Sequence, residues 1–138
     1  MKQTLTHDNT LINNPHAVET GRVAEKIACE FLENKGLILM GKNYSVHNVG
    51  EIDLIMRDKK HIVFVEVKSR QHADYGHVLE MISKSKQARI IRTAQYYLIR
   101  QHLWNVAFCR FDVMGIVPDK KNPKIQQITW IKNAFEVQ

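Results

Sequence analysis

Gly50-Glu51-Ile52-Asp53-Leu54-Ile55-Met56 and, after a short polar turn, Ile62-Val63-Phe64-Val65-Glu66-Val67-Lys68 are the two runs that decide the fold. Both are short, largely apolar and rich in β-branched or aromatic residues. Arg57-Asp58-Lys59-Lys60-His61 between them has turn composition, so the pair reads as a β-hairpin. Side chains alternate along a strand. Glu51, Asp53 and Ile55 are therefore expected on one face and Ile52, Leu54 and Met56 on the other. In the second run Ile62, Phe64, Glu66 and Lys68 share a face, opposite Val63, Val65 and Val67. Closing the hairpin so that Arg57 pairs with Ile62 sets Asp53 across from Glu66 and Glu51 across from Lys68. A two-residue slip would keep the faces and change the partners.

Carboxylates facing each other on paired strands repel, and burial sharpens the conflict until one of them keeps its proton. A divalent cation removes it, and hard oxygen ligands suit Mg²⁺ or Mn²⁺ rather than zinc. Glu66 follows the apolar run Ile62-Val63-Phe64-Val65, which argues against a casual surface acid. Lys68 shares its face and can orient a water or stabilise charge developing on a phosphate. Spacing alone leaves an equal alternative, a salt-bridge cluster at a sheet end with Glu51 on Lys68 and Asp53 in solvent.

Outward from the hairpin, residues 1–14 read as a flexible N-terminal tail and residues 15–138 as a single domain. A first helix runs from Pro15 or Gly21 to Lys35. Asn14-Pro15 or Thr20 would start it, and Val23, Ile27, Ala28, Phe31 and Leu32 form its inner face. Gly36 ends it. Leu37–Tyr44 is a first strand, and a loop containing Gly76 leads from the hairpin to a second helix, Ser83–His102. Ala88, Ile91, Ala94 and Leu98 are expected inward on that helix, with Lys86, Arg89, Thr93, Tyr96 and Arg100 along another face. Val106–Val117 and Ile125–Ile131 are the last strands, with Pro118-Asp119 and Asn122-Pro123 in the turn between them. A long helix between the third and fourth strands is a crossover that makes this pair parallel. The expected class is α/β, a mixed five-stranded sheet flanked by helices in the order α-β-β-β-α-β-β.

The 138 residues, 44% of them hydrophobic, suit one soluble domain. No apolar run approaches the roughly 20 residues that cross a bilayer, and Met1–Asn14 lacks the apolar stretch of a signal peptide. A cytoplasmic protein without a membrane partner is the expectation. Cys29 and Cys109 read as buried, reduced thiols. The net charge of +6 is unevenly spread, for Arg57 to Arg100 holds ten basic residues against four acids. That concentration suggests one polyanion-facing side. Lys84, Lys86, Arg89 and Arg92, with Tyr96 among them, can track a phosphate backbone or simply solvate a helix. Gly36 to Asn43 nearly matches a phosphate-binding loop but ends in Asn and follows a helix, the reverse of the required context. His72 and His77 read as surface loop residues, with contact to phosphate the alternative. Asp112 shares a strand face with Arg110, for which a structural ion pair is the simple account and a supporting role at the site the alternative.

Gly50-Glu51-Ile52-Asp53-Leu54-Ile55 with Val63-Phe64-Val65-Glu66-Val67-Lys68-Ser69-Arg70 resembles the PD-(D/E)XK nuclease pattern, and more closely the YraN family of small bacterial proteins. Gly21-Arg22-Val23-Ala24-Glu25, Asn43 ahead of the Gly50 segment, Lys86-Gln87-Ala88-Arg89-Ile90, Arg110-Phe111-Asp112-Val113 and Ile131-Lys132-Asn133-Ala134-Phe135 resemble further stretches of that family. The likeness spans about residues 19–135. Ile52 stands where the motif's name has proline, a position without chemistry. The resemblance implies a restriction-endonuclease-like fold, similar to archaeal Holliday-junction resolvases. It implies Asp53 and Glu66 as metal ligands, Lys68 as the catalytic lysine, Glu25 as an acid contributed by the first helix, and Gln87 as a polar residue facing the site. By helical projection Glu25 sits at the edge of the apolar arc, which equally suits a solvated residue. Arg70, Lys84, Lys86, Arg89 and Arg92 are the expected nucleic-acid contacts.

The function so implied is a Mg²⁺- or Mn²⁺-dependent endonuclease hydrolysing phosphodiester bonds in DNA, ahead of RNA, in branched or single-stranded form. Related resolvases act as dimers, which by analogy makes a homodimer a further expected partner. The alternatives are a non-cleaving nucleic-acid-binding module of the same fold and a protein-interaction adaptor.

Overall fold

A computed structural model describes residues 15–69, 80, 82–118, 121, 122 and 126–137. The expected tail, Arg70, the Gly76 loop with His72 and His77, Asp119 and Pro123 lie outside the described residues. The elements are α1 (Pro15–Asn34), β1 (Ile38–Val46), β2 (Gly50–Asp58), β3 (His61–Ser69), α2 (Lys84–Arg100), β4 (Phe108–Pro118) and β5 (Gln126–Phe135). The strands form one mixed sheet in the order β1-β2-β3-β4-β5. All neighbours are antiparallel except β3 and β4, which run parallel. That exception follows from α2, which carries the chain from one end of the sheet back to the other. The expected class and element order hold.

β3 is the middle strand, and Ile62 to Glu66 are all buried. A strand covered on both faces needs a continuous apolar run rather than alternation, which is what Ile62-Val63-Phe64-Val65 supplies. Its two faces belong to two cores. Val63 and Val65 pack with Leu54, Met56, Met114 and Ile116 beneath Ala24, Ala28 and Leu32 of α1. Ile62 and Phe64 pack with Ile52, Ile55, Phe111 and Val113 against Ile90, Ala94, Tyr97 and Leu98 of α2.

Both helices end as their sequences direct. Gly36 takes φ +99, the Gly36 N–H donates to the Glu33 carbonyl, and the Leu37 N–H donates to that of Leu32. This is a Schellman closure, sealed by contact between buried Leu32 and Leu37. The Ser83 hydroxyl accepts from the Lys86 N–H at 3.1 Å and starts α2.

The inner face of α2 differs from the expected one. Ala88 is exposed, whereas Thr93, placed on the basic face by its spacing, is fully buried. A Cβ on Gly50 would stand 2.7 Å from the Thr93 hydroxyl and 3.2 Å from the Arg89 carbonyl, so the bare backbone of β2 lets the helix settle with this side down. The hydroxyl donates back to the Arg89 carbonyl at 2.7 Å, so its burial leaves no polar atom unmatched.

Two further expectations are corrected. Cys29 is buried, but Cys109 is exposed; it stands at the open start of β4 beside Phe108, itself 64% exposed. The positive charge of Arg57 to Arg100 does not form one side. Arg57, Lys59 and Lys60 lie at the hairpin turn, while Lys68 lies at the opposite end of β3 and Lys86 contacts Glu66 there. A hairpin necessarily sends its turn and its open end apart, which a count along the chain does not register.

Candidate active site

β2 and β3 pair in the expected register, Arg57 with Ile62 and so on to Leu54 with Val65. There the ladder stops. The next residue, Asp53, turns its side chain to the partner strand, and its Oδ2 accepts from the Val67 N–H at 2.8 Å. A side-chain oxygen thus replaces the carbonyl that a regular ladder would use. The alternation of β2 breaks at this point as well, since Ile52 packs with Ile55 beneath α2 instead of joining Leu54 and Met56. Glu51 and Lys68 fall beyond the last pair, and no ion pair joins them among the described residues.

Glu66 is 4% exposed. Burial raises its pKa, against the pull of the Lys86 and Lys68 ammoniums. Lys86, from the first turn of α2, has its Nζ 3.5 Å from Glu66 Oε2. Burial also pushes Asp53 up, to about 8, with the charges of Glu66 and Glu25 adding to it and the Val67 N–H working the other way. Burial thus holds both carboxyls towards their protonated form.

Glu25 reaches this neighbourhood from α1. Its Oε1 accepts from Asn43 Nδ2 at 3.0 Å, and Asn43 sits in β1 at φ +49. The left-handed region suits Asn better than most residues. Acids from α1, β2 and β3 thus meet lysines from β3 and α2. Alongside, between the 45–51 connection and Lys86, Arg89 and Ile90, opens a cleft of about 780 Å³.

The profile of a family described as "Uncharacterised protein family UPF0102" matches residues 24–116. The chain belongs to this family. A UPF0102 protein of Coxiella burnetii (strain RSA 331 / Henzerling II) is 44% identical over 115 residues, 83% of this chain and 90% of its own length. UPF0102 proteins of Nitrosococcus oceani and Pseudomonas aeruginosa (strain LESB58) are 41% and 40% identical, over 87% and 86% of this chain and 94% and 93% of theirs. UPF0102 is the YraN family of the resemblance, and its matched span runs from α1 into β4.

Within this UPF0102 chain the residues singled out from sequence separate into groups. Asp53 and Glu66 come together, with Lys68 and Lys86 near enough to act on Glu66 and Glu25 on Asp53. Gln87 turns elsewhere, its Nε2 donating to the Ile82 carbonyl at 3.1 Å, and no hydrogen bond joins it to the acids among the described residues. Lys84, Arg89 and Arg92 are exposed on α2. Asp112 is a structural group. It accepts from Arg110 Nε at 3.0 Å, from Trp130 Nε1 at 3.0 Å and from the Asn133 N–H at 2.9 Å. Sequence reasoning missed two roles here. Asn43 orients Glu25, and Lys86, besides lining the cleft, is the partner of a buried acid. A lysine at the third position of a helix, where a capping box would put Glu or Gln, was the available signal for the second.

Proposed function

We propose that this protein is a restriction-endonuclease-like nuclease that uses Mg²⁺ or Mn²⁺ to hydrolyse phosphodiester bonds in nucleic acid, DNA ahead of RNA, in the cytoplasm. The observation that carries the reading is the facing pair of half-buried Asp53 and buried Glu66, set where the β2–β3 ladder ends and flanked by Lys68 and Lys86. Two facing carboxyls whose burial opposes ionisation destabilise the fold unless a cation balances them. Among the described residues no three His, Cys, Asp or Glu side chains are grouped closely enough to hold a metal ion, so the set that remains is a pair of carboxylates. An open oxygen set of two carboxylates, with Glu25 behind, fits a hard ion that keeps several waters, as Mg²⁺ does. Asp53 and Glu66 would hold it, with Glu25 as a third acid. When bound, such an ion supplies Lewis-acid charge to a phosphodiester.

The chain's own groups perform the rest. The Val67 N–H fixes the Asp53 carboxylate, and Asn43 fixes Glu25. Lys68 extends from the face of Glu66 to orient the attacking water and stabilise charge building on the phosphate. Lys86 and Arg89 line the adjoining cleft and hold the strand by its backbone. The test is a Mn²⁺ titration by calorimetry of the wild type and an Asp53→Asn/Glu66→Gln variant, run beside cleavage of branched, single-stranded and duplex DNA. Binding and cleavage present in the wild type and absent in the variant are expected. No heat and no cleavage in either would overturn the reading.

One observation favours a second reading, a module that binds nucleic acid without cutting it. Lys86 already balances Glu66 at 3.5 Å, so the acids can serve as a structural counterweight to a basic surface. That reading expects metal-independent binding that survives the double substitution.

A further inference from the structure

About 20 Å along β2 from Asp53, at ~3.4 Å per residue, the turn of the hairpin forms one wall of a second cleft of about 600 Å³. Leu37, Asp58, His61 and Trp130 line it together with four lysines, Lys35, Lys59, Lys60 and Lys132. Among the described residues Asp58 is the one acid in this lining, and Arg110 engages it at 3.0 Å. The four ammonium charges are therefore not balanced by the cleft's own acid. Two of them are held in place. Lys35 Nζ stands 5.3 Å from the centre of the Phe31 ring and Lys132 Nζ stands 4.7 Å from that of Trp130. The rings meet edge to face at 6.2 Å. A ring engages only one side of an ammonium, leaving the other for an anion, and a fixed lysine loses less freedom on binding than a loose one.

The turn itself is unfavourable for its own closure. Asp58 pairs with His61, leaving Lys59 and Lys60 as a two-residue connection with Lys59 at φ +57. Such turns favour Asn and Gly, which tolerate that backbone. Here two adjacent lysines face two more. Local preference and charge repulsion both oppose the arrangement, and such conflicts concentrate where a ligand resolves them.

We propose that this cleft is a second nucleic-acid contact, taking a segment of phosphodiester backbone other than the one at the candidate active site. Several spaced cations around an aromatic platform match a chain of phosphates better than a single compact anion. The cleft opens beside the α1 core, to which Leu37 and Trp130 belong, whereas Glu66 lies on the α2 face at the other end of β3. Contacts on opposite faces and at opposite ends of β3 suit two arms of a branched molecule or two separate segments. The inference goes beyond the proposed hydrolysis and holds for a cutting or a non-cutting protein.

The experiment uses the full chain with Trp104→Phe, so that Trp130 alone reports by fluorescence, and a DNA duplex of about 20 base pairs titrated at several salt concentrations. Duplex binding is expected to change Trp130 emission. Lys59→Ala/Lys60→Ala/Lys132→Ala is expected to weaken binding at least tenfold at low salt and to lower the salt slope by about 2–3. Asp53→Asn/Glu66→Gln should leave the Trp130 response in place, which separates this proposal from the metal-site reading. Equal affinity and slope in the triple variant overturn it. So does an emission change with inorganic tripolyphosphate and none with the duplex, which would mark a site for small polyphosphates instead.

Discussion

At the scale of single residues, Asp53 joins backbone pairing, burial and charge in one carboxyl. Its pKa rises from 3.8 to about 8 on folding. Between those values the folded chain holds a proton that the unfolded chain has lost. The stabilisation is thus complete below about pH 4 and declines as pH rises towards 8. Asp53→Asn keeps an oxygen for the Val67 N–H and removes the titration. In chelator, its melting temperature should exceed that of wild type by a margin that widens as pH rises from 4 to 8; parallel melting curves from pH 5 to 8.5 would contradict it. Lys86 bears on the other acid. An ammonium 3.5 Å from Glu66 Oε2 competes with any cation for that oxygen. Lys86→Ala should therefore tighten Mn²⁺ binding by roughly 3- to 10-fold by calorimetry, whereas a lysine that merely braces the helix would leave affinity unchanged or lower. Asp112 offers a contrast, because its partners Arg110, Trp130 and Asn133 all belong to the fold. Asp112→Ala removes the acceptor of Arg110 Nε, Trp130 Nε1 and the Asn133 N–H, leaving Arg110 with Asp58 alone, and should lower urea-measured stability by about 1–3 kcal/mol.

At the scale of elements, the close seat of α2 on β2 rests on the missing side chain of Gly50. A methyl there meets the Thr93 hydroxyl at 2.7 Å and the Arg89 backbone at 3.2 Å, and backbone does not yield as a flexible side chain does. Gly50→Ala should cost about 1–3 kcal/mol in chemical denaturation, with Thr93→Ala in the same chain recovering only part of it because the Arg89 backbone contact remains. The hairpin shows how far reading a sequence reaches. Apolar runs and a charged turn were enough to place β2 and β3 and their register, because turn length and alternation act locally. The break at Asp53 was not legible, since it depends on a carboxylate bonding to a strand fourteen positions away. The face of α2 was missed for a similar reason. Periodicity marks an apolar arc, but a threonine that satisfies its own hydroxyl can be buried wherever the opposing strand offers a gap. Glu25 entered only through family likeness, because helical position alone did not distinguish a solvated acid from one held by Asn43.

At the scale of the whole molecule, the sheet separates two chemistries. Asp53 and Glu66 meet where β2 and β3 part, and four lysines gather around the turn at the other end. A charge count along the chain merged these ends because consecutive residues on a hairpin are neighbours in sequence while its two extremities are not neighbours in space. The thiols differ as sharply, with Cys29 buried in the α1 core and Cys109 exposed. Ellman's reagent should find one thiol reacting at once and the other only on denaturation; two equally fast thiols would contradict the packing of α1. Cys109 pairs with Ile62 and its neighbour Phe108 with His61, so it stands close to the lysine-bearing turn. A maleimide dye would therefore label the native chain at a single place without any engineered cysteine. That place adjoins the turn rather than the acids, so one conjugate could tell by its emission which extremity of the protein a bound molecule has reached.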